Sequence, residues 1–362
     1  MDYLIVIPAL NPERGLIGYV DTLLYHGYEN IVVVDDGSRD DCRFIFDEIE
    51  AKSGCRILRH EINLGKGRAL KDAMRLYVDT YMSGDGSKKM GGIITVDSDG
   101  QHIIEDVNAV AKAMNETSDS LILGVRSFDT GNVPPKSMFG NKCTRVALKL
   151  FIGGDVHDTQ TGLRGIPNCL IERYSNLPGE RFEYETKMLI DAIQTKTKIT
   201  EVPIETVYIN DNSETHFNPI IDSIKIYSVI LGTFFKYVLS SLSSFIIDYS
   251  LFCVLFYTLS NASVEQNRSI WISTATARVC SSLFNYMVNK TVVFKSKRGY
   301  VTLLMYYMLC ITQMAASAAL VSLVNMARFI PVQAAKIVVD CILFLISYRV
   351  QKGLIFKETT DK

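Results

Sequence analysis

Asp97 and Asp99 stand two residues apart, directly after the apolar run Gly92–Val96, and Gln101 follows them. Such a pair can hold one hard divalent cation between protein and phosphate oxygens. A cation placed there neutralises a departing diphosphate. Four other apolar runs end in polar clusters. Leu4–Ile7 leads into Pro8, Ala9, Leu10, Asn11, Pro12 and Glu13. Ile31–Val34 leads into Asp35, Asp36, Gly37 and Ser38. Arg56–Leu58 is followed by Asn63, Leu64, Gly65, Lys66 and Gly67, and Leu121–Val125 by Arg126. Any one cluster suits a turn. Five in succession point to a shared site. Phosphate-loop chemistry is excluded, because Lys66 lacks the GxxxxGK[ST] spacing. Leu70 breaks GxGxxG, which argues against a dehydrogenase. Asp97 does not open a calcium loop, because Asn108 stands at the twelfth position where that loop has Glu.

The elements that must position these residues follow from periodicity. Helical patterns at Leu16–His26, Cys42–Ser53, Lys66–Tyr81 and Ile103–Asn115 alternate with the apolar runs. That alternation predicts βαβ units and a mainly parallel sheet. Ligands of such sheets sit outside the carboxyl ends of the strands, where the polar clusters lie.

The ordered motifs PALNPE, VVDDGS, NLGKG, DSDGQH and DTQTGLRG resemble those of family 2 glycosyltransferases with the α/β GT-A fold. The similarity is greatest to dolichol-phosphate mannose synthases and polyprenyl-phosphate glucosyltransferases, and covers roughly residues 1–225. It implies roles residue by residue. Pro8, Asn11 and Glu13 would line the nucleoside pocket, and Asp36 would meet the base or ribose edge. Lys66 would sit near the diphosphate. Asp97, Asp99 and Gln101 would hold Mg2+ or Mn2+, with Asp99 and Gln101 the better ligands. Arg126, with Lys136 and Lys142 nearby, would face the acceptor phosphate, and Asp158 occupies the family's candidate-base position. Leu10 replaces an aromatic that many relatives carry there, so stacking on the base is not expected. Plainer readings stand beside some of these. Glu13 also suits a helix N-terminus, Lys66 a solvated helix face, and Arg164 an internal ion pair with Asp158 or Glu183. His102 reads as structural rather than as a base.

The chain is 362 residues long with a formal net charge of −1, which excludes a generally basic nucleic-acid binder. The charge is split. From residue 231 onward there are 13 basic and 5 acidic residues, against 25 and 34 before it. Four segments of the second part, Tyr237–Leu259, Trp271–Val293, Val301–Ala327 and Phe329–Tyr348, reach the ~20 residues that a membrane helix needs. Their few charges, Asp248, Arg278, Lys336 and Asp340 among them, are expected inside the bundle or near its ends. Lys295, Lys297 and Arg298 in one loop, and Lys352, Lys357 and Lys362 in the tail, outnumber Arg268 and Arg328 in the others. The positive-inside rule then places both termini in the cytoplasm. No basic segment precedes the first strand, so no cleavable leader is expected. A repeat at an offset of 62 pairs Tyr286 with Tyr348, Asn289 with Gln351, Lys290 with Lys352 and Phe294 with Phe356. These basic-aromatic exits resemble the GtrA-like membrane domain. The eight cysteines form no CxxC pair and read as buried, reduced thiols.

The expected organisation is a GT-A catalytic domain over 1–210, an interfacial segment over 211–235 and an all-α domain of four transmembrane helices over 236–362. The resemblance implies an enzyme that takes one sugar from a nucleotide sugar of the UDP-glucose or GDP-mannose type. It would pass that sugar, with inversion, to a polyprenyl phosphate at the bilayer. The acceptor phosphate, with a second pKa of about 6, is already a nucleophile at neutral pH, so Asp158 has no strong base to be. A homo-oligomer through the membrane helices also fits. Two alternatives are a processive polysaccharide synthase, whose QxxRW motif is missing, and a transporter of lipid-linked sugars.

Overall fold

The computed structural model describes residues 3–82, 90–126, 135–205, 221–327 and 331–357. The chain divides into two compact units, Met1–Ile230 and Leu231–Lys362.

The first unit is a seven-stranded sheet flanked by helices. Its strands are β1 (Tyr3–Ala9), β2 (Ile31–Asp35), β3 (Cys55–Arg59), β4 (Gly92–Thr95), β5 (Ser120–Arg126), β6 (Arg164–Pro167) and β7 (Lys198–Ile204). The order across the sheet is β3-β2-β1-β4-β6-β5-β7. β6 runs antiparallel to β4 and β5, and every other pairing is parallel. Both faces are covered, which is why the parallel strands are nearly continuous apolar runs. Along β1, Ile5, Ile7 and Ala9 join one core with α1 (Gly15–Tyr25), α2 (Arg43–Glu50) and α4 (Ile104–Glu116). Leu4 and Val6 join the other core, against α3 (Lys66–Tyr77), α6 (Asn168–Ser175) and α7 (Glu183–Thr195). The remaining helix of this unit, α5, is Pro135–Ala147.

This topology positions the site. Strand order reverses between β1 and β4, where parallel sheets open their ligand crevice. Because β6 runs backwards, its start meets the end of β4, with Arg164 opposite Thr95. The loop before β6, Asp158–Gly162, therefore joins the same edge as Asp97. β6 and β7 were not among the expected runs, and Pro8 lies within β1, opposite Val34, rather than after it.

The second unit contains α9 (Gln266–Val288), α10 (Val301–Ala327), α11 (Val332–Val350) and most of α8 (Ile221–Asn261). The sequence separates an interfacial helix from the first span. The structure joins Ile221 to Asn261 in one helix of 41 residues, since no proline or capping residue interrupts Phe234, Phe235 and Lys236. Residues 206–220, with His216 to Pro219, lie outside the described ones. α8 and α10 are long and apolar enough to cross a membrane. α9 and α11 end in π-helical turns, Asn289–Val293 and Gln351–Ile355, at equivalent places of the repeat.

This unit buries amides and hydroxyls beside a mainly aromatic cluster of Tyr286, Tyr306, Ile355 and Phe356, and it exposes many large apolar side chains. Ser240, Asn285, Asn289, Ser347 and Gln351 are buried, while Leu239, Phe245, Leu304 and Leu323 are exposed. Asn285 Nδ2 donates to Ser244 Oγ at 3.0 Å, and Tyr306 Oη to Asn285 Oδ1 at 2.9 Å. Asn289 Nδ2 donates to Gln351 Oε1 at 3.0 Å, so two repeat-equivalent residues bond to each other. Such a distribution suits a bundle whose solvent is hydrocarbon. Two expectations are corrected here. Arg278, paired with Asp248 at 3.4 Å, keeps a side chain 73% exposed, and the Lys336–Asp340 pair is also about half exposed. Arg278, Lys336 and Asp340 thus keep much of their surface outward, whereas Asp248 is half-buried and accepts from Ser281 Oγ at 2.8 Å. All eight cysteines are free thiols, but only Cys42 is buried. Cys253, Cys280, Cys310 and Cys341 face outward with the apolar residues.

Candidate active site

The site is built around Asp97, just past the end of β4. Its Oδ1 accepts from Lys66 Nζ at 2.7 Å, and its Oδ2 lies 3.5 Å from His102 Nε2. Behind it, the backbone of Gly162 packs so closely that any β-carbon there would overlap the carboxylate. Gly162 is held in place by β4 itself, because its carbonyl accepts from Thr95 Oγ1 at 2.7 Å. Burial acts to raise the Asp97 pKa. The Lys66 ammonium and His102 together outweigh it and hold the carboxyl well below its usual range. Lys66 also reaches Glu185 Oε1 at 3.1 Å. Burial opposes its charge, yet Asp97 and Glu185 keep the ammonium pKa above its ordinary value.

Asp99 is exposed and accepts the Gln101 backbone N–H at 3.1 Å. Desolvation and the neighbouring Asp97 charge push its carboxyl upward. The same negative field reaches Tyr19 on α1. Burial, then Asp97, Asp99 and Asp106, raise its phenol, whose oxygen has no hydrogen-bond partner among the described residues. No group of three or more His, Cys, Asp or Glu suited to a metal occurs among the described residues. Two carboxylates with an amide beside them nonetheless fit a hard cation that completes its shell with phosphate oxygens and water.

The nucleotide-side residues act through their backbone neighbours. Asp36 is buried, and its two oxygens take His60 Nδ1 (2.8 Å) and the N–H groups of Leu64 (2.9 Å) and Gly65 (2.7 Å). Through these bonds it holds the loop that contains Leu64 and Gly65. Gly65 has φ +106, and a side chain there would strike the Glu180 carbonyl. Asn11, with φ 47, accepts the Arg39 N–H at 2.8 Å and donates its own N–H to Ser38 at 2.9 Å. It ties the loops after β1 and β2 together. Pro8 is half-buried and Glu13 exposed beside them.

On the other side, Arg126 ends β5. Its Nε donates to Asp158 Oδ2 at 2.7 Å and its Nη2 to Asp158 Oδ1 at 3.0 Å. Asp158 is fully buried and also accepts the Gln160 N–H. A carboxylate so enclosed fixes the guanidinium plane of Arg126. Asn141 on α5 braces the same loop, accepting from Thr159 N (2.9 Å) and donating to the His157 carbonyl (2.7 Å). Lys142 is exposed on α5. Lys136 lies in its first turn, with its side chain outside the described ones. Among the described residues Arg164 makes no ion pair, and it donates to the carbonyls of Thr161 and Glu185.

Sequence reasoning missed Glu185, Gly162 and His60. Gly162 stood in a quoted motif without a reason for being glycine. Glu185 and His60 gave no signal, since each acts through a partner distant in the chain.

Residues 4–174 match the glycosyl transferase family 2 profile, and residues 236–356 match the GtrA/DPMS transmembrane domain. Over 208 residues the chain is 34% identical to an uncharacterized protein of Methanocaldococcus jannaschii, covering 56% of this chain and 81% of that one. It is 31% identical to the UDP-N-acetylglucosamine–dolichyl-phosphate N-acetylglucosaminyltransferase of Methanococcus voltae, covering 56% of this chain and 85% of that one. Among solved structures, mannosyl-3-phosphoglycerate synthase from Rubrobacter xylanophilus aligns with a TM-score of 0.46 at 16% identity, over 64% of this chain and 72% of that one. A carboxylate pair at the carboxyl edge of a GT-A sheet, a profile match over the same strands and relatives spanned over most of their length lead to one assignment: the chain belongs to the family 2 glycosyltransferases, and a GtrA/DPMS-type transmembrane domain follows its catalytic domain.

Proposed function

We propose that this glycosyltransferase moves a single sugar, with inversion at the anomeric carbon, from a nucleotide sugar to a membrane polyprenyl phosphate of the dolichyl type. The observation that carries the reading is the convergence of two opposed sites on one sheet edge. One is the carboxylate pair Asp97 and Asp99 with Lys66, suited to a diphosphate. The other is Arg126 held flat by Asp158, suited to a second phosphate. The name of the Methanococcus voltae relative supports a dolichyl phosphate as that second phosphate.

Asp97, Asp99 and Gln101 would hold Mg2+ or Mn2+, which supplies Lewis-acid neutralisation of the leaving diphosphate. Lys66 adds a positive charge to the same side. Arg126 orients the acceptor phosphate, whose oxygen attacks without a side-chain base. Lys142 and Lys136 extend the positive ground. Asn11 and Asp36 shape the nucleoside side through the loops that they brace. The helical unit anchors the enzyme in the bilayer, and by the positive-inside count both termini lie in the cytoplasm with four helices crossing.

The test is a panel of radiolabelled nucleotide sugars incubated with membranes that contain the enzyme. Label should pass into a lipid that carries one sugar, and Asp99→Asn should abolish the transfer. Label that accumulates in polymer, or none in lipid with any donor, would overturn the reading.

A further inference from the structure

The charges around Asp97 do not balance. Asp97, Asp99 and Glu185 face a single ammonium, Lys66, which touches two of them. Lys66 takes the same Asp97 carboxylate that a cation would need, and its side chain is only 17% exposed. His102 and the Gly162 backbone occupy other sides of that carboxylate. Asp99 has no ion-pair partner among the described residues. With the Arg164 guanidinium on the Glu185 carbonyl counted, three formal negative charges face two positive ones, and the excess, with Asp99 outside any ion pair among the described residues, suits a divalent ion.

We infer that Lys66 is an internal counter-ion that competes with the divalent cation for Asp97, and that Glu185 is the positioning residue that keeps the ammonium at the site when the cation takes its place. The inference rests on the metal-dependent reading above and deepens it. Glu185 is suited to the task. It is buried on α7, its carbonyl is anchored by Arg164 Nη1 at 2.8 Å, and its carboxylate already lies 3.1 Å from Lys66 Nζ. The ammonium therefore exchanges one carboxylate for another without entering solvent. A charge retained in this way remains beside the diphosphate that the cation brings with it. Metal and nucleotide binding are thereby coupled: a diphosphate that attracts Lys66 away from Asp97 opens the seat for the cation.

The test measures Mn2+ binding to the full-length protein in detergent, by the electron paramagnetic resonance signal of free Mn2+, with and without UDP or GDP. Lys66→Met should tighten Mn2+ binding in the absence of nucleotide roughly tenfold, the scale of one opposite charge within hydrogen-bond reach. The further gain on adding nucleotide should shrink. Lys66→Arg should restore wild-type behaviour. Arg75→Met, which removes a charge on the same helix that pairs with Asp72 instead, should change Mn2+ affinity less than about twofold. Glu185→Gln should weaken Mn2+ binding in the wild-type background and much less in Lys66→Met, a coupling that a double-mutant cycle isolates. Unchanged or weaker Mn2+ binding in a Lys66→Met protein of normal melting temperature overturns the inference. So does equal tightening by Arg75→Met. If Lys66→Met does not fold, a Glu185→Gln effect that persists in full in Lys66→Arg supports the inference, and no Glu185→Gln effect in either background overturns it. Wild-type Mn2+ binding that Asp97→Asn leaves intact would overturn the metal reading itself, and this inference with it.

Discussion

Gly162 lends its missing side chain to Asp97. The substitution Gly162→Ala puts a methyl group where the carboxylate rests, so Asp97 must rotate away from Lys66. A displacement of about 1 Å at a reacting centre costs roughly a hundredfold in turnover. We expect that loss in kcat, with little change in melting temperature, from transfer assays beside thermal unfolding. Asp158→Asn leaves the shape of the loop intact and weakens the charged fork on Arg126, whose bonds are about twice as strong as neutral ones. The KM for the lipid acceptor should rise roughly tenfold while the KM for the nucleotide sugar stays within about twofold. A defect confined to the donor would move Arg126 to the diphosphate side. At this scale the sequence disclosed Asp97, Asp99, Lys66 and Arg126 because they follow apolar runs. It did not disclose that Arg126 and Asp158, 32 residues apart, belong to one ion pair. Nor did it disclose that Asp36 faces inward, since contacts between loops leave no periodic trace.

The segment leading into α7 is the element that locks the lysine loop. The Arg68 N–H donates to the Glu180 carbonyl at 2.9 Å. The Glu180 carboxylate takes Arg68 Nε at 2.7 Å and the nearly buried Lys71 Nζ at 2.8 Å. Desolvation opposes the Glu180 charge, but Lys71 and Arg68 outweigh it and hold its pKa below the ordinary value. A carboxylate depressed in the folded state stabilises fully above its unfolded pKa and loses that contribution as pH falls through the folded one. Glu180→Gln should thus cost about 1–2 kcal/mol at neutral pH, discounted for the exposure of the carboxylate. The gap from wild type should hold down to about pH 5 and close below about pH 4 in denaturant titrations. Elements with strong periodicity were legible, and β1 to β5 and α1 to α4 stand within a few residues of their expected places. β6 and β7 were not. Arg164, Gly165, Ile166 and Pro167 make a strand only because β4 and β5 flank them, and Pro203 disguises β7.

At the scale of the whole molecule, one chain obeys two opposite solvent rules. The first unit hides most of its apolar residues, and the second exposes many of its own while burying amides and hydroxyls beside a mainly aromatic cluster. Composition made that division visible, because the charge density falls sharply after residue 230. The outward position of Arg278 was not visible, since a helical pattern of isolated charges does not tell which neighbour fills the interior. The proposed topology is checked by single cysteines in a background without native ones. Lys297→Cys and Lys357→Cys should react with a membrane-impermeant maleimide only after permeabilisation. Glu265→Cys should react on intact cells. The reverse pattern would invert the orientation.

The bond between Asn289 and Gln351 carries a consequence for ancestry. A position that meets its own counterpart lies beside the axis that relates two halves, as a self-complementary contact does in a symmetric dimer. Two separate hairpins, each with a single amide at that place, would join through the same contact. In the present chain the two amides differ by one methylene and meet at 3.0 Å. Exchanging them, as Asn289→Gln with Gln351→Asn, should therefore yield a protein that folds and inserts nearly as well as the original. Either change alone crowds or empties the axis.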